Sequence, residues 1–174
     1  MINNQDHAAA QADTATTPPW PKIDADPFVV PPAARQATAE LAERYEHLYK
    51  NASGDPTCLP WHHAGVNRPL TQWLNTQASC LVRPGARTIV VGCGLGDDVV
   101  ELANRGYDAC GFDISPTCIE WARQRFPEHA DRFFVADVLN PPTRLRARFG
   151  LVVEAYTIQS VFPSVRDHAF AGVV

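Results

Sequence analysis

Ile89, Val90 and Val91 form an apolar run that passes directly into Gly92-Cys93-Gly94-Leu95-Gly96, and Asp97 then opens a stretch with helical spacing. No other feature limits the fold as strongly. Three glycines on alternate positions let the main chain turn sharply and leave backbone N–H groups uncovered by Cβ atoms, at the start of a helix whose dipole favours ligand acceptors. A bare tight turn is the weaker alternative, and the spacing narrows the ligand. A GxGxxG dinucleotide fingerprint beginning at Gly92 or Gly94 needs glycine at position 97 or 99. Those positions hold Asp97 and Val99, so a nicotinamide site fits poorly.

The rest of the chain supplies a frame for this turn. Residues 1–34, rich in Ala, Thr and Pro, read as a flexible leader, with Trp20, Phe28, Val29 and Val30 as its sizeable apolar groups. From Arg35 to Lys50, the apolar positions Ala37, Leu41, Tyr45, Leu48 and Tyr49 recur at intervals that mark one stripe of an amphipathic helix. A second helix is expected from a cap at Asn67, with Pro69 in its first turn, through Leu70, Trp73 and Leu74 towards Leu81. Beyond Gly85 the pattern becomes short β-rich runs separated by helical ones. Strands are expected at 88–91, 107–112, 133–135 and 151–153, and helices at 97–104 and, capped by Ser115, from Pro116 to about Phe126. Such alternation implies βαβ units and an α/β, Rossmann-like parallel sheet with flanking helices. Residues 35–174 would form this one domain.

The order of the motifs resembles that of class I S-adenosylmethionine-dependent methyltransferases, whose first strand ends in a glycine loop of this kind. The resemblance places Gly92, Cys93, Gly94, Gly96 and Asp98 against the donor, S-adenosyl-L-methionine. Gly111-Phe112-Asp113-Ile114-Ser115 is similar to the family's second-strand end, which implies that Asp113 accepts from both ribose hydroxyls with Ile114 alongside; a carboxylate suits two donors. Val135-Ala136-Asp137-Val138 resembles the third-strand motif, so Asp137 is assigned to the adenine amino group and Val138 to the ring. Phe149–Tyr156 resembles the fourth, and brings in Glu154 beneath the methionine part. Leu59–Leu70 looks like the N-terminal segment of the thiol, thiopurine and halide methyltransferase branch. There Trp61 would cover the sulfonium, which an indole face attracts by about 0.5–2 kcal/mol. That branch usually has an acidic residue after the tryptophan; His62 stands here and leaves the substrate open.

The resemblance implies methyl transfer to a small-molecule nucleophile such as a thiol, halide, amine or hydroxyl, with orientation as the protein's main contribution. It covers roughly residues 60–163, whereas the family's sheet has seven strands. The sequence therefore reads as truncated after its fourth strand, whose unpaired edge would favour self-association. A non-catalytic donor-binding fragment is the competing reading. The net charge of −4 argues against a nucleic-acid partner, and the arginines at 123, 125, 132, 144, 146 and 148 read as a solvated face. Five cysteines without a paired rhythm point to a reduced, cytoplasmic protein, and Cys58 with His62 and His63 lacks the second half of a zinc site. No stretch has the length or apolarity of a membrane span.

Overall fold

The computed structural model describes residues 30–62 and 65–173, so residues 1–29 of the flexible leader expected at 1–34, and His63, lie outside the described residues, while a helix already begins at Pro32, within the last residues of that segment. The sheet has four parallel strands, β1 (Arg87–Val91), β2 (Asp108–Asp113), β3 (Phe133–Val135) and β4 (Leu151–Glu154), in the order β3-β2-β1-β4. This confirms the α/β, Rossmann-like class. β1 is central and buried along its length after Arg87, because Ile89 and Val91 feed one core and Val90 the other. Ile89, Val91, Cys110 and Phe112 pack under α1 (Pro32–Ala52) and α6 (Arg166–Val173). Val90, Ala109, Phe133 and Val153 pack against α2 (Arg68–Thr76), α3 (Ala78–Leu81), α4 (Asp97–Asn104) and α5 (Pro116–Arg125).

Local chemistry sets most boundaries. Asn67 accepts the Leu70 N–H and Ser115 accepts the Cys118 N–H, so both helices begin at side-chain caps followed by proline in the first turn. The second helix breaks at Gln77, and α3 is a separate turn. α1 begins at Pro32, three residues before the apolar stripe becomes readable, and Val30 and Ala34 are buried in the core. Proline at the first helical position needs no N–H partner, which makes this earlier start favourable. α6 carries no regular stripe to announce it and is held by Val165 and Ala169 in the core.

Arg123, Arg125, Arg146 and Arg148 are exposed, as a solvated face requires, yet three arginines of the region also bond main-chain carbonyls. Arg132 donates to the Ala109 carbonyl at 2.8 Å, Arg123 to the Phe133 carbonyl at 2.6 Å and Arg125 to the Leu95 carbonyl at 2.7 Å. Arg123 ties α5 to β3, Arg125 ties α5 to the glycine turn, and Arg132 ties the segment before β3 to β2. β4 lies at the sheet edge, with Val152 exposed. No described helix is long and apolar enough to cross a membrane.

Candidate donor and acceptor cleft

Parallel register aligns the strand ends. Val91 is opposite Phe112 on one side and Glu154 on the other, while Asp113 is opposite Val135. The chain reverses direction across the sheet between β1 and β4, and ligands in such folds sit outside the carboxyl ends at that point. A cleft of about 470 Å³ opens there, within the ~300–1,000 Å³ range of small-molecule sites.

Nine of the eleven residues assigned from sequence line this cleft: Trp61, Gly92, Cys93, Gly94, Asp98, Asp113, Ile114, Asp137 and Val138. Asp113 ends β2 and is buried, and its carboxylate accepts the Gly94 N–H at 3.2 Å and the Ser115 N–H at 3.1 Å. Burial raises its pKa, and these backbone donors oppose the rise. Asp137 accepts the Thr38 hydroxyl at 2.6 Å and the Leu139 N–H at 2.9 Å. Asp98 accepts the Asn67 N–H at 2.7 Å, which joins the loop before α2 to the start of α4. Cys93 contributes its backbone to the turn, but burial pushes its thiol well above the usual range, and the Asp113 carboxylate adds to that. The side chain packs in the core beneath the turn.

Gly96 and Glu154 stand outside the cleft. Gly96 precedes α4 with φ of 93°, and a Cβ there would lie 2.7 Å from the Phe133 ring. The absence of a Cβ lets the start of α4 sit close to Phe133 and to Ala122 of α5. The Glu154 carboxylate accepts the Thr157 N–H at 2.6 Å and the Ile158 N–H at 2.8 Å, which closes the turn after β4.

Several lining residues are missing from the sequence-derived set. Tyr45 and Tyr49 project from α1 and meet Trp61 edge-on, with ring centroids 5.6 and 5.7 Å apart. Together the three rings form an aromatic roof, although helical spacing marks the tyrosines only as core. Burial pushes the Tyr49 phenol far above its ordinary pKa, with the Asp113 charge as a second cause. On the opposite wall, Tyr156, Thr157, Gln159 and Ser160 follow β4. Arg166 donates to the carbonyls of Gln159 and Val161 and holds this wall in place. Among the described residues, no three His, Cys, Asp or Glu side chains converge as a metal site. Cys58 instead points its thiol at Asp55, 3.7 Å away.

A Rossmann-like sheet with a glycine turn and two strand-end carboxylates around one cleft defines a class I S-adenosylmethionine-dependent methyltransferase fold. The family model described as thiopurine S-methyltransferase (TPMT) matches residues 54–141, just over half of the chain, and the protein belongs to that family. Among curated relatives, magnesium-protoporphyrin O-methyltransferase of Rhodobacter capsulatus is 42% identical over 60 residues, 33% of this chain and 27% of that protein. The 2-heptyl-1-hydroxyquinolin-4(1H)-one methyltransferase of Mycobacteroides abscessus is 26% identical over 138 residues, 75% of this chain and 57% of that protein. The chain thus spans from about a quarter to just over half of these relatives. A solved structure described by the conversion of a disulfide bond into a thioacetal group during echinomycin biosynthesis superposes with a TM-score of 0.61 at 26% identity, covering 76% of this chain and 54% of that one. Magnesium protoporphyrin IX methyltransferase of Synechocystis PCC 6803, solved with bound S-adenosylhomocysteine, has the same fold, with a TM-score of 0.57 at 16% identity over 75% of this chain and 65% of that one.

Proposed function

We propose that the chain binds S-adenosylmethionine in this cleft and transfers its methyl group to a small-molecule nucleophile. The observation that carries the reading is the convergence of the Gly92–Gly94 turn, Asp113 and Asp137 on one cleft at the carboxyl ends of β1, β2 and β3. The residues fit the donor's chemistry. Asp113 supplies a carboxylate suited to a ribose diol, Asp137 and Val138 offer an acceptor and an apolar wall to an adenine, and Asp98 lines the cleft beside the turn where the amino-acid part would sit. When bound, S-adenosylmethionine supplies an activated methyl on a sulfonium and leaves as S-adenosylhomocysteine.

The protein's task is then alignment and exclusion of water. Trp61, Tyr45 and Tyr49 cover the cleft with rings whose faces attract a cation, while the Tyr156–Ser160 wall borders the acceptor's path. Alignment of this kind can supply several kcal/mol of barrier reduction, on the order of 7–11 in the best intramolecular cases. Within the cleft, His62 is an exposed group able to take a proton. A thiolate or halide acceptor needs no such base; the acceptors named for the relatives, magnesium protoporphyrin and a hydroxyquinolinone, support a small-molecule acceptor without choosing its nucleophilic atom. Calorimetric titration with S-adenosylhomocysteine tests the reading. Saturable one-to-one binding that is lost or strongly weakened in Asp113→Ala is expected; a folded protein that does not bind, or a variant that binds equally, refutes it.

A further inference from the structure

α1 roofs the cleft, and its attachment there is more specific than apolar packing. Thr38, Leu41, Tyr45 and Tyr49 follow one helical face towards the strand ends, with Glu46 at its flank. The Glu46 carboxylate accepts the Ser115 hydroxyl at 2.6 Å, the Thr117 hydroxyl at 2.6 Å and the Thr117 N–H at 3.1 Å. Lys50, one turn along α1, approaches it at 3.2 Å. Ser115 donates its own N–H to Asp113 at 3.1 Å, so the group that grips α1 also grips the buried carboxylate. About two helical turns away, Thr38 makes the separate bond to Asp137. α1 is therefore pinned to both loops that carry the strand-end carboxylates.

Resting on the donor-site reading above, we propose that Glu46 is a positioning residue for donor binding: through Ser115 and Thr117 it presets Asp113 and docks the Tyr45–Tyr49 face of α1 over the cleft. Ser115 already caps α5 through its acceptance of the Cys118 N–H, so Glu46 is not required to begin that helix. What Glu46 adds is a fixed relation between the roof and the ribose carboxylate. Ordering these groups before the ligand arrives removes that cost from the binding step.

The test is calorimetric titration with S-adenosylhomocysteine of the wild-type chain, Glu46→Ala, Thr117→Val, their double variant and Glu46→Gln, with thermal melts alongside. Glu43→Ala, an exposed change on the same helix, serves as the charge control. We expect Glu46→Ala to raise Kd at least tenfold while the protein remains folded, and the double variant to bind no more weakly than Glu46→Ala alone. Such non-additivity is the signature of residues acting through one contact. Glu46→Gln, which keeps an amide oxygen to accept from Thr117, should recover most of the affinity, and Glu43→Ala should bind like the wild type. If Glu46→Ala fails to fold, Thr117→Val must still weaken binding; an unchanged Kd in that variant overturns the proposal. A folded Glu46→Ala with wild-type affinity, or additive losses in the double variant, also overturns it and leaves the donor-site reading intact. Absence of binding by the wild type instead overturns both.

Discussion

Substituting alanine separately at Gly94 and Gly96 distinguishes a glycine that makes room for a ligand from one that makes room for the core. At Gly96, φ of 93° is a left-handed conformation, which costs an L-residue roughly 1–2 kcal/mol. The added Cβ would lie 2.7 and 2.8 Å from two Phe133 ring atoms and 3.4 Å from the Ala122 Cβ. Phe133 is fully buried, so its ring has little room to move, and overpacking typically costs about 1–3 kcal/mol. Gly96→Ala should therefore lose about 2–5 kcal/mol, a large share of the ~5–15 kcal/mol that holds a domain together. At Gly94, φ is 52° and the nearest atom to a new Cβ is the Tyr49 hydroxyl at 3.7 Å, so only the backbone cost applies. That methyl would stand in the cleft lining. Urea unfolding followed by tryptophan fluorescence gives the first quantity, and titration with S-adenosylhomocysteine at low temperature gives the second. Gly96→Ala should bind within about twofold of wild type wherever it is folded, whereas Gly94→Ala should lose roughly tenfold or more, equivalent to about 1.4 kcal/mol. A Gly96→Ala protein as stable as wild type, or the reverse pattern of binding losses, would refute the assignment.

Two further outcomes follow from the same geometry. Burial alone would raise the Glu46 carboxyl, but bonds from Ser115 and Thr117, with Lys50 nearby, lower it from 4.5 to about 2. Its stabilisation is therefore complete above pH 4.5 and is lost as pH falls through about 2, so acid unfolding monitored by circular dichroism should lose that component in Glu46→Gln. An unchanged acid profile would contradict it. Trp61→Ala should change stability little, since Trp61 is 41% exposed, but should reduce the preference for S-adenosylmethionine over S-adenosylhomocysteine by about 0.5–2 kcal/mol, read from paired titrations. Equal losses for both ligands would show that the indole contributes only surface and not a cation contact.

Elements with strong local signals were readable at once. The helix at Asp97–Asn104 follows from the glycine turn and two acidic residues in its first turn, while Asn67 and Ser115 announce their helices because a side-chain oxygen beside a proline has one favourable use there. The glycine loop, Asp113 and Asp137 were legible for a related reason: they lie at or just beyond strand ends, and parallel strands bring their ends together. Tyr45, Tyr49 and the 156–160 wall were not legible as cleft-lining residues, nor was Glu46 as their neighbour on α1. Tyr45 and Tyr49 occupy positions that helical spacing explains fully as core, and no local signal says that their side of α1 crosses the strand ends. For Glu154 and Gly96, a place in a motif does not reveal that one closes a turn and the other lies against Phe133.

Sequence alone therefore determined the fold class, the four strands, the glycine turn and the carboxylates at the strand ends, because short-range geometry and side-chain periodicity dictate each of them. Only the tertiary structure decided which residues meet around the strand ends. Glu46 and Ser115 are separated by 69 positions and Thr38 and Asp137 by 99, and their hydrogen bonds exist only once α1 has packed across the sheet. No local pattern carries that information: the same helix face buries its apolar stripe wherever it docks, and only the docked position sets which polar groups lie beneath it.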